Sequence, residues 1–335
     1  IWTDEFTGLN HPTGQPIFIN REIAIASAEN NDKMIRTPED KTSYIGTKFD
    51  TDINTYLAAD YETGEILAGK NIDDARPMAS FAKIMAAYEL LKEGLNLNRS
   101  STYDPIDHKS IYPTFRIAAG EKILNKNLMY SGLVSSLNTP MKMLVDTVEE
   151  KENEFVKRMN TQARNWGLKN TYFFDVTGEN LENKTTAREY LAIYTKIVKN
   201  IDISDFLSVK SYEYNEMADK DGNPRHYDDN SNLLFQKNNL SFNIINSKTG
   251  YLDEAGAGLA MIIENKTNNK KFVIITMGNP DYANRFDEPR RLAGWIINNF
   301  QFQILNFKYA ANICRFYASS AAAYTCHWKR AIGKI

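Results

Sequence analysis

Ser80 and Lys83 stand three residues apart, a spacing that brings a hydroxyl and an amine to one face of a helix. A serine hydroxyl is a poor nucleophile until a base takes its proton, and a lysine serves as that base only where its surroundings keep the amine partly neutral. Burial and a second nearby cation both act in that direction. Lys248 is a candidate for the cation, in the string Lys248-Thr249-Gly250. The lysine and hydroxyl of that string suit a carboxylate, and its glycine would let a substrate approach the backbone. Between the two strings lies Ser136-Leu137-Asn138, whose hydroxyl can relay a proton to a leaving amine while Asn138 orients a substrate amide. The chemistry of such a set is acyl transfer through a serine ester.

The three strings differ in weight. A match to S-x-x-K is expected about once in a chain of this length, and a given tripeptide such as K-T-G on the order of once in ten or more such chains. Lys-Thr-Gly occurs once here. Taken alone, Ser80 reads equally as a helix N-cap with Lys83 a solvated first-turn side chain, Ser136 as a cap between two helices, and K-T-G as an exposed strand end. S-x-N recurs at Ser241-Phe242-Asn243, which precedes K-T-G too closely to build an independent cleft wall, so the Ser136 match is preferred.

The elements that must position these groups follow from periodicity. Thr55 to Asp60 and Ile66 to Ala68 flank Glu62-Thr63-Gly64-Glu65 and read as a β-hairpin. Phe81, Ile84, Met85, Tyr88 and Leu91 recur at helical spacing, so a helix is predicted over 80–91, with Pro77 before it and Gly94 after it. A helix-rich block spans 127–168, broken by a polar turn over 135–140 and stopped by Trp166-Gly167. Another helix is predicted over 186–198, strands over 211–216, 243–247, 257–264 and 272–277, and a closing amphipathic helix over 288–300. Asp219-Lys220-Asp221-Gly222-Asn223 imitates part of a calcium loop, but the first ligand position and closing glutamate are missing, so it is read as a hairpin turn.

Composition excludes several classes. The 335 residues are 42% apolar with 12% aromatics and a formal net charge of -2, enough for a sizeable core and without the global basic field of a nucleic-acid binder. Cys314 and Cys326 leave the body of the chain with no disulfide framework or thiolate site, and His11, His108, His226 and His327 lack ligand spacing, so no metal and no cofactor is expected. No apolar run reaches the roughly 18 residues of a membrane-spanning helix. The chain opens on Ile1 with no signal-like segment, which suits a processed or trimmed form. Residues 1–48 read as a polar extension. The stretch 301–335 has no acidic residue, and as a helix it would set Lys308, Arg315 and Lys329 beside Phe307, Cys314, Ala321 and Trp328. Such a tail suits a peripheral membrane contact, a helix docked on its own domain, or a segment foreign to the gene.

Beyond the three strings, the chain resembles the serine D-alanyl-D-alanine carboxypeptidases, the low-molecular-mass penicillin-binding proteins of peptidase family S11. The resemblance runs over about residues 53 to 300 and is carried by Asp60 to Leu67, Arg76 to Met85, Gly120-Glu121-Lys122, Asn170 to Phe173 and Ser247 to Gly256. It implies an α/β (α+β) architecture of the β-lactamase/transpeptidase-like fold: an antiparallel sheet flanked by helices, with a mostly helical subdomain, over 49–300. It further implies that Ser80 is the acylated nucleophile, Lys83 its general base, Ser136 the proton shuttle, Asn138 a substrate-amide contact, and Lys248 the carboxylate anchor assisted by Thr249. The oxyanion would be held by the N–H groups of Ser80 and Tyr251, with Gly250 beside them. Implied too are a peptidoglycan stem peptide as substrate, loss of its terminal D-Ala, β-lactams as inhibitors, no nucleic-acid partner, and a periplasmic or otherwise extracytoplasmic location.

The chain departs from the family pattern in three places. Leu137 and Thr139-Pro140-Met141 replace the small residues usual around S-x-N, which bears on cleft shape. Only 35 residues follow Phe300, too few for the separate β-rich domain of many members. The tail matches the usual anchor in amphipathic character alone. Rival readings are a serine β-lactamase, a D,D-endopeptidase and a non-catalytic wall-peptide scaffold. The first rests on Glu179-Asn180-Leu181-Glu182-Asn183, with a glutamate four residues before an asparagine, and is discounted because the segment lies in a loop that resembles the carboxypeptidases.

Overall fold

A computed structural model describes residues 49–110, 112–148 and 151–299. The expected extension over 1–48 and basic tail over 301–335, with both cysteines, His11 and His327, lie outside the described residues.

Five strands rich in β-branched and aliphatic residues form one antiparallel sheet. They are β1 (Thr55–Asp60), β2 (Ile66–Lys70), β5 (Phe242–Leu252), β6 (Gly256–Asn265) and β7 (Lys271–Asn279), in the order β2-β1-β7-β6-β5. The β1–β2 hairpin is as predicted, its turn tied by Asp60 Oδ1, which accepts the N–H groups of Glu62 (3.0 Å) and Thr63 (2.8 Å). Because side chains alternate across a strand, the sheet has two apolar faces. Leu57, Ala59, Ile262, Val273 and Ile275 face the helical subdomain. Tyr56, Ala58, Met261, Ile263 and Ile274 pack instead on Leu292, Ala293 and Ile296 of a closing helix that runs from 287 to 299, the last described residue.

At the centre of the helical side lies α1 (Ala82–Lys92), buried on nearly all sides, as expected of a helix with apolar residues around most of its circumference. Around it are α2 (Asn125–Leu133), α3 (Asn138–Asp146), α4 (Glu152–Asn165), α5 (Ala187–Ile197) and α6 (Ile201–Ser208). Tyr88 meets Trp166 at 5.1 Å between ring centroids, and Phe81 stacks on Tyr190 at 4.5 Å. The expected α/β class, an antiparallel sheet with flanking helices and a helical subdomain, is the one found.

Several element bounds differ from expectation. The break in the helical block is confined to 134–137, and α3 begins at Asn138 with Pro140 inside its first turn. Proline is tolerated there because first-turn N–H groups have no partner within the helix. Helix α3 ends at Asp146 and α4 begins at Glu152. Helix α6 was not anticipated, although Asn200 is a legible cap, accepting the N–H groups of Asp202 (3.0 Å) and Ile203 (3.4 Å). The acidic turn is a hairpin turn between β3 (Ser211–Asn215) and β4 (Arg225–Asp229), where Asp219 Oδ1 accepts the N–H groups of Asp221, Gly222 and Asn223.

Candidate active site

Ser80 lies in a short 3₁₀ turn (Ala79–Phe81) that runs into α1, and neither helix start has a side-chain cap. The capping role open to Ser80 in the sequence is therefore not the one it takes. Its half-buried Oγ accepts a 2.7 Å hydrogen bond from Lys83 Nζ. Nor is Lys83 solvated: it has no exposed surface, and its amine also donates to the carbonyl of Thr177 at 2.8 Å. Burial pushes the Lys83 amine down to about 7; the carboxylates of Asp175 and Glu179 oppose that shift and the Lys142 ammonium adds to it.

The facing wall is the turn between α2 and α3. Ser136 occupies the left-handed backbone region at φ 62°, held by the bond from Leu137 N–H to the Ser131 carbonyl (3.2 Å) and that from Ser135 Oγ to the Asp229 carbonyl (2.9 Å). Ser136 Oγ accepts from Lys248 Nζ at 2.5 Å, and the same amine donates to the Thr249 carbonyl at 2.9 Å. Lys248 is 1% exposed, and burial followed by the charge of Lys83 depresses its amine well below the lysine range. The structure thus brings two nearly dry serine–lysine pairs to one cleft.

The other expected site residues also meet here, some in different roles. Asn138 opens α3, and its Nδ2 donates to the Tyr112 carbonyl (2.8 Å) and to Ser110 Oγ (3.3 Å). Its buried Oδ1 has no hydrogen-bond partner among the described residues. Thr249 Oγ1 donates to Ser231 Oγ at 2.7 Å, a partner no local pattern announced. The K-T-G string lies inside β5 rather than at a strand end, with Lys248, Thr249 and Gly250 opposite Ala260, Leu259 and Gly258. A Cβ on Gly250 would lie 3.1 Å from the Met78 carbonyl, and one on Gly258 3.1 Å from Phe81 Cζ. These glycines seat the nucleophile's turn on the sheet, and Gly250 also lines the cleft. Tyr251 hydrogen-bonds Asp253, and its ring lies 4.3 Å from that of Tyr282 at the cleft mouth. Ser80, Ser136, Asn138, Thr249 and Tyr251 line a cleft of about 170 Å³, with Tyr112 and Tyr282 at its rim.

A loop over 175–183 closes the site from below and was not read in these terms from the sequence. Asp175 Oδ1 accepts the N–H groups of Thr177 (2.8 Å), Gly178 (2.6 Å) and Glu179 (3.2 Å), and Oδ2 accepts Asn180 N–H and Asn183 Nδ2, both at 2.8 Å. Burial alone would raise the Asp175 carboxyl, but these donors outweigh it and hold the group below its ordinary range. Gly178, at φ 86°, presses so closely on the nucleophile's turn that a Cβ would fall 1.8 Å from the Ala79 carbonyl oxygen. Glu179 lines the cleft, pairs with Lys142 at 3.0 Å and accepts from Ser110 Oγ. Asn183 is spent on the loop itself, which separates the glutamate from the asparagine of the β-lactamase reading.

The rejected Ser241-Phe242-Asn243 match begins β5 on the far side of the sheet, beside a separate cavity lined by Phe49, Arg290 and Trp295. Away from the cleft, Glu121, Asp219 and Asp221 bring carboxylate oxygens within 4.8 Å of one another. Those oxygens are engaged by backbone N–H groups and, at Asp221, by Arg116 at 3.2 Å.

Comparison with known proteins agrees with this arrangement. The family model for D-alanyl-D-alanine carboxypeptidase matches residues 42–281. The D-alanyl-D-alanine endopeptidase of Pseudomonas aeruginosa is 27% identical over 241 residues, covering 72% of this chain and 76% of that protein. The D-alanyl-D-alanine carboxypeptidase DacA of Haemophilus influenzae is 26% identical over 271 residues, covering 74% of this chain and 62% of its own length. Penicillin binding protein 5 from Haemophilus influenzae superimposes with a TM-score of 0.66 at 23% identity, over 75% of this chain and 72% of that one, and shares the fold.

Proposed function

The chain belongs to the D-alanyl-D-alanine carboxypeptidase family, and we propose that it removes the terminal D-Ala from peptidoglycan stem pentapeptides through a Ser80 acyl-enzyme. The reading rests above all on the 2.7 Å contact between Ser80 Oγ and a fully buried Lys83 amine whose proton affinity burial has brought near neutrality. Neutral Lys83 takes the Ser80 proton as Oγ attacks the carbonyl carbon of the penultimate D-Ala. The N–H groups of Ser80 and Tyr251 stabilise the oxyanion. The proton that Lys83 has taken passes by way of the Ser136 hydroxyl to the departing amine, the terminal D-Ala leaves, and water then hydrolyses the ester to regenerate Ser80. Lys248 and Thr249 hold the substrate carboxylate, and the unpartnered Asn138 Oδ1 accepts a substrate N–H.

β-Lactams acylate the same serine. Glu179 is tied to Lys142 and Ser110 and is not free to activate water for rapid deacylation, so the protein is inhibited by penicillins rather than destroying them. Cleavage of D-Ala-containing cross-links is the second reading, favoured by the resemblance to a protein named as an endopeptidase. We take the catalytic unit as 49–300, with 1–48 as an extension and 301–335 as a basic amphipathic tail. The family works on the cell wall, outside the cytoplasm, and we place this chain in the periplasm or its equivalent. Among the described residues no helix is long and apolar enough to cross a membrane.

The deciding experiment offers the purified protein a stem pentapeptide ending in D-Ala-D-Ala and, separately, a cross-linked dimer. Release of free D-Ala from the first, absent in Ser80→Ala, is the expected result. Cleavage of the dimer alone would select the endopeptidase, and binding without release from either would select a scaffold.

A further inference from the structure

Lys142 belongs to none of the three motif strings, yet it stands one helical turn beyond Asn138 on α3, on the same face as the cleft residue. Its amine lies 3.0 Å from Glu179 Oε2, while Glu179 Oε1 accepts from Ser110 Oγ. Ser110 is in turn held by Thr139 Oγ1, which accepts its N–H at 3.2 Å, and by Asn138 Nδ2 at 3.3 Å. Glu179 directly follows Thr177 and Gly178, the residues that touch Lys83 and the Ala79–Ser80 backbone. A carboxylate at that place, if left unpaired, would hold a proton on the Lys83 amine and would be free to swing into the cleft.

We propose that Lys142 is a positioning residue for acylation: by binding Glu179 it fixes that carboxylate on the cleft wall and offsets its field at Lys83, so that the amine can accept the Ser80 proton. The inference rests on the reading of Ser80 as nucleophile and Lys83 as base. The charged groups that bear on Lys83 come from two elements. Asp175 and Glu179 on the 175–183 loop favour its protonated form, and Lys142 on α3 opposes it. Lys248 on β5 feels the charge of Lys83. Glu152 on α4, raised by its own burial, lies among Lys142, Asp175 and Glu179 and donates no positive charge to offset them.

The test follows the rate of acylation by a fluorescent penicillin from pH 5.5 to 9.5. In the wild type the rate climbs with pH through a midpoint near 7 as Lys83 loses its proton. In Lys142→Met the midpoint moves up by about one unit, so that the rate at pH 6 falls roughly tenfold and recovers to within about twofold of wild type at pH 9.5. Glu179→Gln moves the midpoint down, the double variant lies between the two, and Lys142→Arg, which keeps the ion pair, stays with the wild type. Recovery at high pH also shows that Lys142→Met is folded. An equal loss at every pH in Lys142→Met, or a midpoint that stays put, would overturn the proposal and leave the Ser80–Lys83 reading standing. A wild type that takes no label, or a Ser80→Ala variant that still takes it, would instead overturn that reading and the proposal with it.

Discussion

At the scale of single residues, one physical fact governs the site: two lysines have been taken almost wholly out of water. A buried amine without a carboxylate partner favours its neutral form, which is what a base for a serine hydroxyl requires. The same burial works against folding. Because the folded Lys83 releases its proton near 7 while the unfolded chain holds it up to the lysine value of 10.5, the unfolded state binds more protons across that interval, and stability contributed at this position rises with pH there. Below about 7 both states are protonated and the contribution is flat. Urea unfolding of the wild type and Lys83→Met at stepped pH should show the wild type gaining on the variant from pH 7 to 10 and keeping a constant difference from 5 to 6.5. A difference that shrinks as pH rises would mean that Lys83 is charged and paired in the folded protein. The Ser80–Lys83 pair was legible in the sequence because its spacing is local. Thr177, Ser231 and Lys142 were not: the Lys83 contact spans 94 positions and the Lys248 contact with Ser136 spans 112, and nothing in a one-dimensional pattern records which carbonyl or hydroxyl a buried amine will meet.

At the scale of elements, the cleft is made by three short irregular pieces seated on regular ones. The nucleophile's 3₁₀ turn rests on β5 and β6 through Gly250 and Gly258, the Ser136 turn is suspended between α2 and α3, and the 175–183 loop is wound around the Asp175 carboxylate. Periodicity found α1, α5 and the hairpin because their apolar spacing is regular. It misjudged the start of α3, since Pro140 reads as a breaker unless its place in the first turn is known, and it passed over α6, which is only eight residues long. The loop was legible only as a segment that resembles the carboxypeptidases, without the reason for its glycine. Gly178→Ala should show that reason: the left-handed backbone alone costs roughly 1–3 kcal/mol, and the methyl group must also displace the Ala79 carbonyl. Thermal unfolding should report the lost stability, and penicillin labelling should fall with the displaced Ser80 turn. Wild-type labelling in Gly178→Ala would mean that the loop does not set the nucleophile's position.

At the scale of the whole molecule, the sheet carries a helical subdomain on one face and a closing helix on the other, and the cleft opens where β5 meets the subdomain. That architecture was expected from family-like segments spread from Asp60 to Gly256, and their order along the chain carried the expectation further than any single string. What order could not supply was cleft shape. Leu137 and Pro140 are built into the turn and first helical residues beside Ser136, while Tyr112, Tyr251 and Tyr282 form a rim drawn from three distant segments. All of this converges on a single reactive oxygen. The most direct test is peptide mapping by mass spectrometry after treatment of the protein with benzylpenicillin. A single acyl adduct on Ser80, lost in Ser80→Ala, is the expected result, and an adduct on another residue, or none in the wild type, would contradict it.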